Sequence, residues 1–166
     1  MPKQPDLTLD NQITLALAKH IPEPPDPKDC IPFLDDIFCP PYRGVQIRTT
    51  DKHGNGNYNT SRTNKNNTKR LHQGIDLTVL PNTQIFSPVE GKILRTFDVY
   101  EDPEKYPNMQ NKYTGIKIQT PNNNTLKIMY IKHNLTKGQN LQRGEILGTT
   151  QDLNNDYPNI TPHIHL

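Results

Sequence analysis

The chain has 166 residues with a formal net charge of +2, 16 prolines, 31% hydrophobic and 7% aromatic residues, and a mean hydropathy of -0.84. That length admits one domain with a real core and excludes two of ordinary size, while the lean apolar content places much of the chain in loops, turns or a tail. So small a net charge gives no argument for a nucleic-acid partner. No apolar run approaches the roughly 20 residues that span a bilayer.

Residues 1–41 hold nine of the prolines. Asp10 can cap a short helix through Ile13, Leu15, Ala16 and Leu17, after which IPEPPDP forbids regular structure. This part reads as a Pro-rich N-terminal arm over residues 1–43. It lacks the long apolar run of a secretory signal, so either export would need an unconventional route or the sequence is that of a mature or engineered protein. Cys30 and Cys39 lie within it and match no zinc-finger spacing; they are two thiols or one local disulfide.

Residues 51–70, DKHGNGNYNTSRTNKNNTKR, have the composition of a hairpin followed by an exposed loop. From residue 71 the pattern is that of strands: Ile75, Leu77 and Val79 alternate with Asp76 and Thr78. PNT is a turn, QIFSPV a strand, EG a turn, and KILRTFDVY a further strand. GIKIQT and TLKIMYIKH flank the turn PNNN, Gly138, Gly144 and Gly148 punctuate short hairpin elements, and HIHL is a last strand. Many short strands with Gly and Pro turns and almost no helical periodicity predict a mainly β domain, antiparallel, over residues 44–166.

Catalytic zinc needs three N or O ligands and one open position. In an extended segment residues i and i+4 share a face, so His72 and Asp76 of HQGID point the same way, with Gly74 leaving the space between them clear. In HIH, His163 and His165 project into one space with Ile164 packed behind. Together the two motifs offer three ligands and a spare imidazole. Two neutral histidines and a carboxylate leave the ion a net positive charge, which favours ionisation of its water near neutral pH.

HQGID, the strand and turn PNTQIFSPVEGKIL, YIKH and the closing HIH, in this order, resemble the lysostaphin-type zinc endopeptidases that cut bacterial cell wall. The resemblance covers residues 44–166 and implies an antiparallel β-sheet core. It also implies zinc on His72, Asp76 and His165, and catalytic imidazoles at His133 and His163. IRTTDKHGNGNY, KIMYIK, RGEILGT and YPNITPHIH resemble one branch of that fold more closely, the leukocyte cell-derived chemotaxin 2-like proteins, regarded as secreted signalling molecules. That branch has cysteines where this chain has Thr50 and Asn55; their loss speaks against an animal extracellular origin. It also lacks a histidine after YIK, so His133 is what favours catalysis here. The peptidases' tyrosine is displaced, with Ile131 at its expected position and Tyr130 three residues before His133. Arg48, His53 and Tyr130 are weak candidates for lining the substrate groove.

The resemblance therefore implies a zinc-dependent endopeptidase hydrolysing peptide cross-links of peptidoglycan, with stem peptides as partner. A mildly basic surface, with the basic loop 62–70, suits such an anionic polymer. Without an ordinary signal, an enzyme of this kind could be an antibacterial effector, a toxin delivered to a rival's periplasm or cell wall with a secretion-apparatus or immunity-protein partner, or a phage or tail-associated wall hydrolase with the same chemistry. The alternative is a non-catalytic zinc-binding protein of signalling or glycan recognition, like the chemotaxin branch.

Overall fold

The computed structural model describes residues 24–63 and 67–166; the helix expected over residues 10–17 lies outside them. The domain is built almost wholly from short antiparallel strands. A 3-10 turn, Pro27–Asp29, leads into the ribbon β1 (Ile31–Phe33) and β2 (Asp36–Phe38), and a second ribbon pairs β3 (Ser61–Thr63) with β4 (Lys69–Leu71). There follow β5 (Asp76–Thr78), β6 (Gln84–Phe86), β7 (Gly91–Asp98), β8 (Thr114–Gln119), β9 (Thr125–Met129), β10 (Ile131–Lys132), β11 (Asn140–Leu141), β12 (Ile146–Thr150) and β13 (His163–His165). Six of them form the main sheet in the order β11-β7-β8-β9-β13-β5, and β10-β12-β6 form a smaller one. This is the mainly β, antiparallel architecture expected from the sequence.

β-branched residues at alternate positions explain why the central strands stay in register. Ile116 and Ile118 of β8, Ile93 of β7 and Ile128 of β9 are buried and pack with Leu77, Val79, Ile85, Ile131 and Ile164 into one core. Each such side chain contributes about 1.5–3 kcal/mol on leaving water. Ile164 stands between the two histidines of β13 and anchors them by its own burial. A second, smaller cluster of Tyr100, Tyr113, Leu153 and Ile160 packs with Tyr106, Tyr130 and Tyr157.

The described part of the expected arm is seated on this domain. Cys30 and Cys39 form a disulfide, which closes the first ribbon. The Cys39 amide donates to the carbonyl of Pro88 (2.7 Å) and the Phe86 amide to that of Pro41 (2.8 Å). Tyr42 is buried, with its hydroxyl donating to the Thr78 carbonyl at 2.6 Å. The side-chain amide of Asn124 donates to Leu34 O and Asp36 Oδ2, tying the ribbon's turn to the β8–β9 turn. Among the described residues no helix is long and apolar enough to cross a membrane.

Candidate metal centre

His72, Asp76 and His165 come from three places. The second ribbon extends past β4, where the His72 amide donates to Thr60 O and His72 O accepts from Asn59. A bend at Gly74 then separates His72 from β5, so the continuous extended segment expected through residues 72–76 is broken. The two side chains meet through this turn rather than through strand alternation. Asp76 opens β5 and is register-paired with His165 of β13. Gly74 is what lets the chain turn so closely: a β-carbon there would lie 2.6 Å from Cε1 and Nε2 of His165 and would collide with the Leu166 carbonyl.

The three side chains present one atom each to a common point. His72 Nε2 lies 3.1 Å from His165 Nδ1 and 3.2 Å from Asp76 Oδ1, and His165 Nδ1 is 2.9 Å from that oxygen. Ligands of a tetrahedral zinc with bonds near 2.0–2.1 Å stand about 3.3 Å apart, so this triangle fits the group with little adjustment. The donor set fits too, because two imidazoles and a carboxylate suit zinc. The Asn57 carbonyl, 2.8 Å from His72 Nδ1, can only accept, which assigns the proton to Nδ1 and leaves the Nε2 lone pair toward the cluster. His72, Asp76 and His165 can therefore hold a metal ion.

His163 stands one step back. Its Nδ1 donates to the Thr161 carbonyl at 2.7 Å, which turns Nε2 inward to 3.9 Å from Asp76 Oδ1. That separation exceeds the edges of the ligand triangle and suits an imidazole that touches what the ion holds. Burial pushes the His163 imidazole down to about 4, although Asp76 opposes the shift, so it is neutral near pH 7. Burial likewise lowers His72. For Asp76 burial works against ionisation, but hydrogen bonding from His165 and the charges around it hold the carboxyl well below the usual range.

The other expected residues are placed differently. Arg48 does not line a groove: it is 2% exposed, and its guanidinium donates to Asp76 Oδ2 (2.8 Å) and Asp51 Oδ2 (2.7 Å). His53 belongs to a tight turn, with Nε2 3.2 Å from Pro158 O and its ring edge-on to Tyr157. Tyr130 meets the His163 ring edge-on at 5.5 Å, with its hydroxyl 3.3 Å from that of Tyr100. His133 is not brought to the cluster. Its Nδ1 accepts from the Leu135 amide, its buried Nε2 has no hydrogen-bond partner among the described residues, and burial lowers its pKa.

The reason lies in the backbone at Tyr130, whose φ of +70° is rare for a bulky side chain and marks local strain. There the chain leaves the main sheet at β9 and enters the small one at β10. Strand alternation is reset, and Tyr130, not His133, faces His163.

Sequence reasoning missed Arg62. This residue of β3 is 8% exposed, donates to Asp76 Oδ2 at 2.7 Å and to His53 O at 3.0 Å, and lies 3.2 Å from His72 Nδ1. A usable signal was the glycine pair of HGNGN. A β-carbon on Gly54 would strike Arg62 Nη1, and one on Gly56 would lie 2.6 Å from Arg48 O. Thr50 and Asn55 are joined by a 2.9 Å hydrogen bond from Asn55 Nδ2 to Thr50 Oγ1.

An antiparallel sheet carrying His and Asp on neighbouring strands, with a second His from the adjoining ribbon, defines a lysostaphin-like fold. The NMR solution structure of lysostaphin superposes with a TM-score of 0.51 at 19% identity, over 74% of this chain and 42% of that one; the chain thus spans about two fifths of lysostaphin's length. Within that fold, the chain belongs to the leukocyte cell-derived chemotaxin-2 family. It is 35% identical to the Bos taurus protein over 130 residues, 78% of each chain, and 33% identical to the Mus musculus protein over 129 residues, 78% of this chain and 77% of that one. No family model matches.

Proposed function

We propose that the chain is a zinc-dependent hydrolase of peptide bonds, with the cross-linking stem peptides of peptidoglycan as its substrate class. The observation that carries this reading is the arrangement of three ligand atoms with one imidazole behind them. A structural site closes with four protein ligands, whereas a site that acts on substrate keeps a position open. Here His163 Nε2 is too far back to complete a closed set and near enough to take a proton. Bound zinc supplies Lewis acidity toward the scissile carbonyl. His163 removes a proton from the attacking nucleophile and returns it to the leaving amine, while Thr161 O fixes its tautomer. Arg48 and Arg62 hold Asp76 by Oδ2 and leave Oδ1 for the ion. The Cys30–Cys39 disulfide supports action in an oxidising compartment such as a periplasm or cell wall. Delivery as an antibacterial effector, with an immunity or secretion partner, remains part of this proposal and rests on the sequence alone.

A second reading has its own observation. Tyr130 meets the His163 ring edge-on, and the His133 Nε2 makes no hydrogen bond to any described residue, the cluster included. Together with membership of the chemotaxin-2 family, this favours a zinc-binding recognition protein without turnover. Digestion of purified peptidoglycan, read as muropeptides by mass spectrometry, separates the two. Cleavage by the wild type that His163→Ala abolishes with zinc retained supports the hydrolase. An intact polymer after incubation with zinc-loaded wild type overturns it in favour of recognition.

A further inference from the structure

Register carries the candidate metal centre across the main sheet. Asp76 opposes His165, His165 opposes Met129, Met129 opposes Gly115 and Gly115 opposes Phe97. Register partners share a face, and this row is on the face turned away from the buried Ile116, Ile128 and Ile164. Two residues further along the strands, on the same face, a second row sets Lys127 of β9, Lys117 of β8 and Arg95 of β7 side by side. Neighbouring strands lie about 4.8 Å apart and two residues rise about 6.8 Å, which puts the backbones of Lys127 and Lys117 roughly 8 and 12 Å from His165.

The side chains of this second row are held in place. Phe97 is buried, and its ring lies on Gly115, where a β-carbon would stand 2.6 Å from Phe97 Cζ. Lys127 Nζ and Arg95 Cζ lie 4.7 and 5.0 Å from the centre of that ring, which orients such cations without neutralising them. Arg95 has a carboxylate partner, Glu101, at 3.3 Å. Neither Lys117 nor Lys127 has a hydrogen bond or an ion pair to any described residue. Burial, Arg95 and Lys117 lower the pKa of Lys127, with Glu101 opposing. Three like charges side by side weaken a sheet, and a ligand of opposite charge relieves that repulsion.

We infer that Lys117 and Lys127 seat an acidic side chain of the peptide held at the metal centre. Charge complementarity and the continuity of this sheet face with the row of His165 and Asp76 carry the assignment. An extended peptide rises about 3.3 Å per residue, so the acidic residue falls about two to four positions from the one at the ion. The inference rests on the metal-centre reading above and deepens it, because it gives the substrate a charge and places that charge along the peptide.

The test is calorimetric titration of the zinc-loaded full chain with peptide hydroxamates, whose hydroxamate anchors one end on the ion. Two series of alanine peptides carry it at the carboxyl end or, as a malonyl hydroxamate, at the amino end, with a single Glu or Gln one to five residues away. In one series, Glu two to four residues from the anchor is expected to bind about fivefold more tightly than Gln, the size of two partly exposed ion pairs. That advantage should shrink as salt rises. Lys117→Gln with Lys127→Gln should remove it and Lys117→Arg with Lys127→Arg should keep it, with zinc content and the melting transition showing that both proteins are folded. Equal affinity for Glu and Gln peptides at every position, or an advantage undiminished in the double Gln variant, overturns the inference. A heparin oligosaccharide that binds more tightly than any Glu peptide, and loses that affinity in the double Gln variant, also overturns it and gives the face to a polyanionic glycan. Failure of every hydroxamate to bind sinks the metal-centre reading and this inference with it, whereas hydroxamates that bind without preference for Glu sink this inference alone.

Discussion

Gly74 lies against the imidazole of His165: a β-carbon on it would stand 2.6 Å from both Cε1 and Nε2 of the ring. The obstruction on the other side is the Leu166 carbonyl, which accepts from the Ile75 amide at 2.9 Å, so neither neighbour can yield freely. Gly74→Ala should displace His165 from the ligand triangle and weaken zinc binding at least about tenfold, the equivalent of about 1.4 kcal/mol. Competition with a chelator measures this directly. Unchanged affinity would show that His165 is not held by this contact.

The two catalytic candidates separate cleanly by substitution. His163→Ala should lower peptidoglycan cleavage by about 10²–10⁴, the span of a general base, with zinc content unchanged. His133→Ala should leave both cleavage and zinc content as they are, because His133 touches none of the cluster. Loss of cleavage in His133→Ala with metal retained would restore that residue to the mechanism.

Acid should destabilise the metal-free protein in a defined window. The folded His163 has its pKa pushed down to about 4 from 6.5. The unfolded chain therefore binds more protons between those values, and stability falls as pH drops from 6.5 to 4. Over that interval the loss from His163 is roughly 3 kcal/mol, and the lowered His72 and His133 act in the same direction. Thermal melts across this range should show a falling midpoint, with a smaller fall in His163→Gln. A flat profile would contradict the burial assigned to these imidazoles.

Reduction of the Cys30–Cys39 bond should cost about 2–3 kcal/mol by loop-closure entropy and loosen the first ribbon without dissolving the sheet. Cys30→Ser with Cys39→Ser, examined by denaturant unfolding, should show that loss, and zinc affinity should change little. A large drop in zinc affinity would mean that the ribbon supports β5 more directly than its hydrogen bonds indicate.

Much of the sheet was legible because burial follows a simple rule in its strands. Ile116, Ile118, Ile128 and Ile93 go inward and their polar neighbours outward, and Ile164 between two histidines marks a strand with one buried and one chemical face. Convergence of His72, Asp76 and His165 could be read from motif order, although the turn at Gly74 that produces it could not. The failures have physical causes. Arg62 sits among Ser, Thr, Asn and Lys, where no apolar periodicity distinguishes inward from outward, and only its pairing with Asp76 makes burial tolerable. His133 follows YIK, where the resemblance implies an imidazole on a strand flanking the cleft, but positive φ at Tyr130 ends that strand and hands the chain to another sheet.

The convergence of ligands from separately paired segments has a mechanical meaning. His72 closes the ribbon built from residues near 60 and 70, Asp76 begins an outer strand, and His165 lies 93 positions beyond His72. A cation seated among them acts as a reversible rivet between ribbon and sheet. Stiffness of this face then becomes a function of metal supply, and a chelator would alter where the molecule yields to a protease before it alters whether the molecule is folded.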